Sequence, residues 1–419
     1  MINNNRMTHL FTPLYLVGMW IYSLAIAVAA IFNTKARQLY IGRRQTWKKL
    51  QTYVNAEKCI WIHAASLGEF EQGRPIIEAV KEKFPDRKIV LTFYSPSGYE
   101  VRKNYNLADL ICYLPADGPC NARRFIEGIN PEMAIFVKYE FWHFFLKTLQ
   151  RRGIPTYGIS MIFRERQAFF KVYGAWFRQM LRRFQHIYIQ DDKSAALLEQ
   201  IDIHNFTVAG DTRFDRVVKI AAQAEPNEIA ERFVADAKCV IVAGSTWPPD
   251  EEILLQYVNN PDNDVKLIIA PHETDEERVK SLCGNIKVPH FLYTMPQPQP
   301  ESYKVLVINT IGLLSGIYRY GQIAYIGGGF GKGIHNTLEA ATYGMPVLFG
   351  PNHKKFKEAC DLIDCRAGFC INSFNDLKNV LDYLRTDISG MAKAKRQADK
   401  YVKSMCGATD RIMHDIFNA

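Results

Sequence analysis

The chain of 419 residues is too long for a single hydrophobic core, so we expect two or three folding units. Hydrophobic residues make up 48% of it and charged residues 23%, which excludes a disordered or fibrous protein. The net charge is +9, and residues 121–186 hold twelve Lys or Arg against four Glu. This basic patch favours lipid headgroups or a phosphorylated substrate, with a solvated helix surface as the alternative. No recognised nucleic-acid motif is present, so nucleic acid is not an expected partner.

The nine cysteines include no CxxC pair, a pattern typical of reduced thiols in a cytosolic compartment. Cys360, Cys365 and Cys370 lie close together in the sequence, but their spacing matches no zinc template. We therefore expect no metal site.

Residues 10–32 contain no charged side chain, and a helix of these 23 residues is long enough to cross a hydrocarbon layer of about 30 Å. A cleaved signal peptide would have a shorter apolar core and a small-residue cleavage site. Basic residues follow instead, namely Lys35, Arg37, Arg43, Arg44, Lys48 and Lys49. The positive-inside rule then places the rest of the chain in the cytoplasm. The sequence predicts an N-terminal membrane anchor, and the alternative is an apolar helix that lies flat or is buried in the fold.

Beyond this segment, short β-rich runs alternate with helical stretches, as in parallel sheets covered by helices. The first series of predicted strands comprises residues 59–64, 89–94, 111–114, 133–137, 156–160, 186–190 and 206–209. The second series comprises residues 239–243, 266–270, 290–293, 305–308, 323–326 and 346–349. The pattern predicts two doubly wound, Rossmann-like α/β domains. Because ligands bind beyond the carboxyl ends of such strands, we expect the two domains to face a cleft lined by strand-end loops.

The predicted organisation has five parts. Residues 1–49 form the anchor and its basic flank, and residues 50–214 form the N-terminal, acceptor-binding domain. A polar, Ala-rich linker covers residues 215–238, and the C-terminal, donor-binding domain covers residues 239–402. Residues 403–419 form a last helix, which could pack back on the N-terminal domain.

Two carboxylates follow strands of the first series. Glu69, in the segment SLGE, stands near a helix start, where it could accept the proton of an attacking sugar hydroxyl. A carboxylate that only complements the helix dipole is the alternative. Glu140 follows strand 133–137 and could order Glu69, bind the acceptor or stabilise charge in the transition state. The residues by themselves leave these roles open.

Candidate phosphate ligands follow other strands. Arg213, in the segment GDTRFD, could bind a donor phosphate and stabilise its departure, or form a surface ion pair. Ser245 and Thr246 offer hydroxyl and N–H groups of the kind that bind phosphate. Pro271 and His272 follow the next strand.

The segment GGGFGKGIHNTLE, residues 327–339, follows a strand and opens a helix whose amide groups could bind an anion. It matches neither the Walker A loop nor GxGxxG. Glu339 stands in the first turn of that helix, where it could hold ribose hydroxyls. A glycine-rich packing turn is the alternative. The glycines of the predicted phosphate loop are Gly328, Gly329, Gly331 and Gly333.

The motifs SLGE, EFW, GDTRFD, AGST, and GGG followed by HNTLEAATYGMPVLFGPN resemble, in order and spacing, the Kdo transferases. These enzymes add 3-deoxy-D-manno-octulosonic acid (Kdo) to lipid A precursor. The resemblance implies a GT-B fold, CMP-Kdo as the donor, and a tetraacyl disaccharide 4'-phosphate, lipid IVA, as the acceptor. It also implies an inverting reaction at the cytoplasmic face of a Gram-negative inner membrane. No metal and no cofactor are implied, because CMP-Kdo is a substrate.

The resemblance also assigns roles. The Glu of SxGE is the general base of the family, here Glu69, and the Glu before the apolar–Trp pair stabilises the transition state, here Glu140. We expect Arg213 to assist this stabilisation. The predicted donor site adds to Ser245 and Thr246 the residues that correspond to the CMP ligands of the family: Pro271, His272, Gly312, Leu313, Leu314, Asn336, Thr337, Leu338 and Glu339.

Three positions depart from the family pattern. Lys138 stands where the family has an acidic residue, Arg213 where it has Lys, and His272 where it has Arg. The positive charge survives at Arg213, whereas an ordinary histidine is largely neutral near pH 7. We expect these changes to affect substrate specificity or secondary contacts with the substrates more than the class of reaction.

Two other functions stay open at this stage. A GT-B transferase that uses a UDP-sugar on a lipid or peptidoglycan precursor would share the fold, and donor binding would distinguish it. A non-catalytic membrane-surface protein with a nucleotide-binding fold would tolerate exchange of Glu69 and Glu140.

Overall fold

The computed structural model describes residues 2–53 and 58–417. The chain forms two compact units, which divide after Asp215 and again before Cys406. The first unit contains the residues up to Asp215 and those from Cys406 onward, and the second contains Arg216–Met405.

Helices and strands alternate along most of the described chain. The strands are β1 (Cys59–Ala64), β2 (Lys88–Phe93), β3 (Leu110–Tyr113), β4 (Pro131–Val137), β5 (Thr156–Met161), β6 (His186–Ile189), β7 (Phe206–Val208), β8 (Val240–Thr246), β9 (Lys266–Pro271), β10 (His290–Leu292), β11 (Val305–Val307), β12 (Ile323–Ile326), β13 (Val347–Phe349) and β14 (Gly368–Cys370). The helices are α1 (Ile2–Ala29), α2 (Thr34–Thr52), α3 (Leu67–Lys83), α4 (Pro96–Arg102), α5 (Pro119–Ile129), α6 (His143–Arg151), α7 (Ala175–Leu181), α8 (Asp192–Glu199), α9 (Thr212–Gln223), α10 (Glu228–Val234), α11 (Pro248–Val258), α12 (Glu276–Asn285), α13 (Leu314–Ile317), α14 (Leu338–Ala341), α15 (Lys357–Asp364), α16 (Phe374–Thr386), α17 (Ile388–Met405) and α18 (Ala408–Phe417).

The first unit is built on a parallel seven-stranded sheet in the order β3-β2-β1-β4-β5-β6-β7. Every residue of the central strand β1 is buried, because helices cover both faces of the sheet. Successive side chains of β1 therefore enter two different cores: Trp61 packs in one hydrophobic cluster and Ile62 in the other. The strand order reverses between β1 and β4, so the loops after these two strands flank the switch point where such sheets bind ligands.

Helix α1 packs on the first unit along one face. Phe11, Tyr15 and Leu16 contact one hydrophobic cluster, and Ile26 contacts the other. The hydroxyl of Tyr15 donates to Asp117 Oδ2 at 2.8 Å. Residues Phe11–Ala29 are long and apolar enough to cross a membrane, but contacts from Phe11 to Ile26 extend over about 22 Å of helix. The opposite face exposes at least half of each of Leu14, Val17, Trp20, Ile21, Leu24 and Val28.

Some of the basic residues that follow α1 make hydrogen bonds within the fold. Arg37 donates from Nε to the carbonyl of Ala30 and from Nη2 to that of Ile31, which caps the C-terminal end of α1. Lys49 Nζ donates to the carbonyl of Ile111 at 2.8 Å, so it ties α2 to β3. These charges thus have structural partners and do not all face a membrane.

The second unit has its own parallel seven-stranded sheet, in the order β10-β11-β9-β8-β12-β13-β14. Strand β8 is irregular between Gly244 and Thr246, and Ser245 between them has a positive φ of 53°. This bulge turns the chain at the carboxyl edge of the sheet, where the loops after β8, β9 and β12 emerge.

The predicted linker contains ordered structure. Helix α10 lies within it and buries Ala230 and Phe233 in the second unit. The terminal helix α18 belongs to the first unit, where Ile412 packs in a hydrophobic cluster with residues of β1 and α3. Asp215 fixes the turn before α18 by accepting from the backbone N–H groups of Gly407 and Thr409.

Candidate active site

Glu69 lies at the first turn of α3, directly after β1. Its Oε2 accepts from the backbone N–H of Ser66 at 3.0 Å, and Ser66 Oγ accepts from the N–H of Glu69 at 3.5 Å, which completes a capping box. The helix-terminus role that the sequence left as an alternative is therefore present. It occupies one carboxylate oxygen, and Oε1 has no hydrogen-bond partner among the described residues.

The surroundings of Glu69 raise its pKa. Burial is the larger cause and the negative charge of Glu140 the second, while His63 and Lys138 act in the opposite direction. A carboxylate with a raised pKa is a stronger base, as proton abstraction from a sugar hydroxyl requires. The capping role and a role as base are thus compatible in one side chain.

Glu140 is 6% exposed and lies on the loop after β4, the sheet neighbour of β1. Its Oε2 lies 2.9 Å from His63 Nε2 and accepts from Trp142 Nε1 at 2.6 Å. Sequence reasoning missed His63 and assigned no role to Trp142. The available signal was a single polar residue, His63, in the strand sequence CIWIHA.

Lys138 stands at the end of β4 with a positive φ of 66°. Its backbone N–H donates to the carbonyl of Ile159, and its Nζ lies 5.5 Å from the ring centroid of Tyr139. Because its charge lowers the pKa of Glu69, this lysine partly offsets the effect of Glu140. The departure from the family pattern at this position therefore acts on the predicted base.

Arg213, near the start of α9, is held by a neighbouring carboxylate. Its Nε and Nη2 lie 2.9 and 2.8 Å from Asp211 Oδ2, and Gln72 Nε2 donates to the same oxygen. Burial opposes ionisation of Asp211, but the charge of Arg213 and these hydrogen bonds lower its pKa. The ion pair that the sequence left open for Arg213 is present, and its role toward a phosphate stays a prediction.

The glycine-rich loop of the second unit is fixed by Asp250, a residue that the sequence reading did not single out. Asp250 Oδ2 accepts from the N–H groups of Gly328 and Trp247, and Oδ1 accepts from the hydroxyl of Tyr325. A Cβ on Gly329 would lie 2.5 Å from the backbone of Gly350. The packing role of these glycines is therefore real, and a phosphate-binding role stays a prediction.

Three aromatic rings join the loops after β8, β9 and β12. His272 stacks between Trp247, at a centroid distance of 4.8 Å, and His335, at 4.4 Å. Trp247 Nε1 donates to His335 Nε2 at 3.2 Å. Burial, and then the neighbouring His272, lower the pKa of His335 to about 4, so its imidazole is neutral near pH 7. The structure thus brings together three loops that the sequence assigned to the donor.

The predicted donor residues differ in accessibility. Thr246 is buried, and its hydroxyl donates to Glu251 Oε1 at 2.8 Å. Thr337 and Leu338 are fully buried. Asn336 is exposed and donates to Glu339 Oε1 at 2.9 Å. The buried members can shape the site, whereas the exposed polar side chains are available to a ligand.

Two cavities open on the second unit. The first, of about 500 Å³, is lined by the predicted donor residues Gly312 and Leu313 together with residues 223–227. The second, of about 700 Å³, is lined by Gly331 of the glycine-rich loop and by Lys332, Lys354 and Lys355. Pockets of several hundred Å³ are large enough for a nucleotide or a sugar.

Comparison with known proteins identifies relatives over most of the chain. Residues 41–216 match the family model described as 3-deoxy-D-manno-octulosonic-acid transferase (kdotransferase). The chain is 26% identical over 379 residues to the 3-deoxy-D-manno-octulosonic acid transferase of Rickettsia felis, with 86% of this chain and 79% of that protein covered. The transferase of the same name from Aquifex aeolicus is 25% identical, with 79% and 87% covered. Residues 41–216 therefore match a Kdo transferase domain, and the chain is similar to Kdo transferases over most of its length. The resemblance inferred from the motifs is confirmed, and it supports a glycosyltransferase.

Solved structures support the fold. The UDP-GlcNAc 2-epimerase from Neisseria meningitidis superposes with a TM-score of 0.59 at 14% identity, over 87% of this chain and 100% of that chain. MurG from Acinetobacter baumannii gives 0.55 at 12%, with the same shares covered. The prediction of two Rossmann-like sheets in a GT-B fold is confirmed.

Proposed function

We propose that the protein transfers Kdo from CMP-Kdo to the lipid A precursor lipid IVA, with inversion at the anomeric carbon. One observation carries the proposal: two buried or half-buried carboxylates, Glu69 and Glu140, lie after neighbouring strands of a Kdo transferase domain, and Glu140 contributes to the raised pKa of Glu69. This arrangement supplies a base and a second negative charge at one sheet edge.

The proposed reaction is a single displacement. Glu69 takes the proton of a primary hydroxyl of the acceptor while that oxygen bonds to the anomeric carbon of Kdo. The bond from this carbon to the phosphate oxygen breaks, and its electron pair leaves with CMP. Glu140 stabilises the positive charge that develops on the sugar. Arg213 assists as a further stabiliser of the transition state.

The second unit supplies the donor site in this proposal. The cavity beside Gly312 and Leu313 accommodates part of CMP, and the exposed side chains of His272 and Asn336 and the half-buried side chain of Glu339 face the nucleotide. The single phosphate of CMP carries less charge than a diphosphate, so main-chain N–H groups and Ser245 suffice to stabilise it without a metal or cofactor.

The apolar face of α1 binds the cytoplasmic leaflet of the inner membrane in this proposal. The helix contacts the first unit from Phe11 to Ile26, so a helix that spans the bilayer would draw the unit into the hydrocarbon layer. Insertion of Trp20, Leu24 and their exposed neighbours into one leaflet avoids this. Flotation with anionic vesicles tests it: Trp20→Ser with Leu24→Ser should lower the bound fraction, whereas Val172→Ser, also exposed, is the control.

The test of the function is incubation of the purified protein with CMP-Kdo and lipid IVA in EDTA, followed by mass spectrometry of the lipid. A gain of one or more Kdo masses is the expected result and also counts the sugars added. Unchanged lipid beside an active control enzyme would contradict the proposal, and parallel reactions with UDP-sugars would then test the alternative donor. Loss of activity in EDTA, restored by a divalent cation, would contradict metal independence.

A further inference from the structure

His63 is a fully buried histidine in a strand whose other residues are Cys59, Ile60, Trp61, Ile62 and Ala64. Its Nε2 lies 2.9 Å from Glu140 Oε2, and its Nδ1 lies 2.8 Å from Thr92 Oγ1. A buried imidazole is tolerated only when its nitrogens have partners, and here one partner is the carboxylate proposed to act in the reaction.

The partners of His63 define where its proton lies. An ionised carboxylate only accepts hydrogen bonds, so when Glu140 is ionised, Nε2 of His63 carries a hydrogen and donates to it. Trp61 Nε1 donates to Thr92 Oγ1 at 2.8 Å, which leaves the hydroxyl hydrogen of Thr92 for Nδ1 of His63. The result is a directed chain of donors that runs from Trp61 through Thr92 and His63 to Glu140.

The same site also accepts a protonated imidazole. The carbonyl oxygen of Thr92 lies 3.1 Å from His63 Nδ1 and can accept a second hydrogen, while Nε2 continues to donate to Glu140. Glu140 therefore keeps its donor in either charge state of the histidine.

A second ring donor acts on the same oxygen of Glu140. Trp142 Nε1 lies 2.6 Å from Oε2, and the Trp142 ring stacks on Tyr94 with a centroid distance of 4.7 Å. The other oxygen, Oε1, has no hydrogen-bond partner among the residues that the structure describes. Two donors thus fix Glu140 through one oxygen and leave the second for interaction with a substrate.

We propose that His63 is a positioning residue of the transfer reaction, which holds the carboxylate of Glu140 in the orientation in which its charge can stabilise the transition state. The inference rests on the proposed function and adds the group through which Glu140 becomes effective. Because Glu140 is 6% exposed, its orientation depends on hydrogen-bond donors within the protein. Both members of the pair act electrostatically on Glu69, so the pair lies beside the proposed base.

The test compares His63→Leu, which removes the donor, with His63→Gln, whose amide can still donate to Glu140. The leucine variant should lose at least about tenfold in kcat, with little change in KM for either substrate, because a fixed charge acts in the transition state. The glutamine variant should retain more activity.

A double variant separates positioning from packing. If His63 acts through Glu140, adding His63→Leu to Glu140→Gln should lower kcat little further. An equal further loss in both backgrounds, or leucine and glutamine variants with wild-type kcat, would overturn the inference. Thr92→Val is a milder change that keeps the carbonyl partner, and it should move kcat in the same direction. CMP binding and thermal melting check that each variant is folded.

The inference and the proposed function can fail separately. A wild-type protein that transfers no Kdo in the mass-spectrometric assay would remove the proposed function. Transfer by the wild type together with unaffected His63 variants would remove only the positioning role.

Discussion

Different kinds of interaction hold the residues at the carboxyl edges of the two sheets. At the first edge, ionisable side chains interact directly: Glu140 with His63, and Arg213 with Asp211. At the second edge, backbone N–H groups and aromatic rings predominate, and the buried Asp250 holds the loops by accepting hydrogen bonds from their N–H groups. Interacting charges alter proton affinity, as a site of proton transfer needs, whereas fixed N–H groups and rings are suited to hold a nucleotide.

The contrast implies that chemistry and donor binding are separable by mutation. Changes at the first edge should alter kcat and pH dependence and leave nucleotide affinity intact. Changes at the second edge should alter nucleotide affinity and leave the pH dependence of Glu69 intact.

The largest effect is expected from Glu69→Gln. A glutamine keeps the capping box because its carbonyl accepts from the N–H of Ser66, but it cannot take a proton. Turnover should fall by about 10²- to 10⁴-fold, as for loss of a general base, while calorimetry shows unchanged CMP affinity. Glu78→Gln on the same helix is the control. Turnover close to the wild type would exclude Glu69 as the base.

The next effect is expected from Asp250→Ala. Alanine removes the acceptor of the N–H groups of Gly328 and Trp247 and of the Tyr325 hydroxyl, so a buried N–H loses its partner, at a cost of about 1–3 kcal/mol. Thermal melting should show the lower stability, and CMP affinity should fall as the loop loosens. Asp262→Ala, at an exposed site, is the control. If the pH profile of kcat/KM changed on its acidic side in this variant, the functions of the two edges would not be separable.

A smaller effect is expected from Lys138→Gln. The pKa of Glu69 is raised, so its base form, and with it activity, is lost as the pH falls through that raised value. Lys138 lowers this pKa, and its removal should raise it further. The acidic limb of kcat/KM should therefore move to higher pH, with CMP affinity unchanged. Lys193→Gln, exposed in the same unit, should leave the limb in place. An unmoved limb in Lys138→Gln would show that Glu69 does not control it.

Sequence patterns predicted most of the fold because parallel strands form short apolar runs that are easy to locate. The run 323–326 matches β12 and the run 59–64 matches β1. Strand β14 was missed, because its three residues, Gly368, Phe369 and Cys370, have neither the length nor the β-branched content to distinguish them from a loop.

The partners of the candidate residues were harder to predict than the residues themselves. Glu69 and Glu140 follow strands, a position that sequence reveals. The contacts of Glu140 with His63, and of Asp250 with Gly328, join residues 77 and 78 positions apart, and no local pattern reports them. The sequence also did not predict which face of α1 packs on the first unit. Mean hydropathy describes the helix as a whole and not the contacts of each of its faces.

The smallest effect is expected from substitutions of His272, and they test whether the second edge serves only to bind the nucleotide. His272→Ala removes the middle ring of the stack with Trp247 and His335, and since an aromatic pair contributes about 0.5–1.5 kcal/mol, CMP affinity should fall by about two- to tenfold. His272→Phe keeps a ring and should restore affinity if stacking is the main contribution, whereas an imidazole contact with the donor would leave both variants weak.

His272 lowers the pKa of His335, so in either variant that pKa should rise from about 4, which an NMR titration would detect. His204→Ala, at an exposed histidine of the first unit, is the control. If His272→Ala changed kcat by more than it changed CMP affinity, the second edge would take part in the chemistry, and the division between a proton-transfer edge and a nucleotide edge would be wrong.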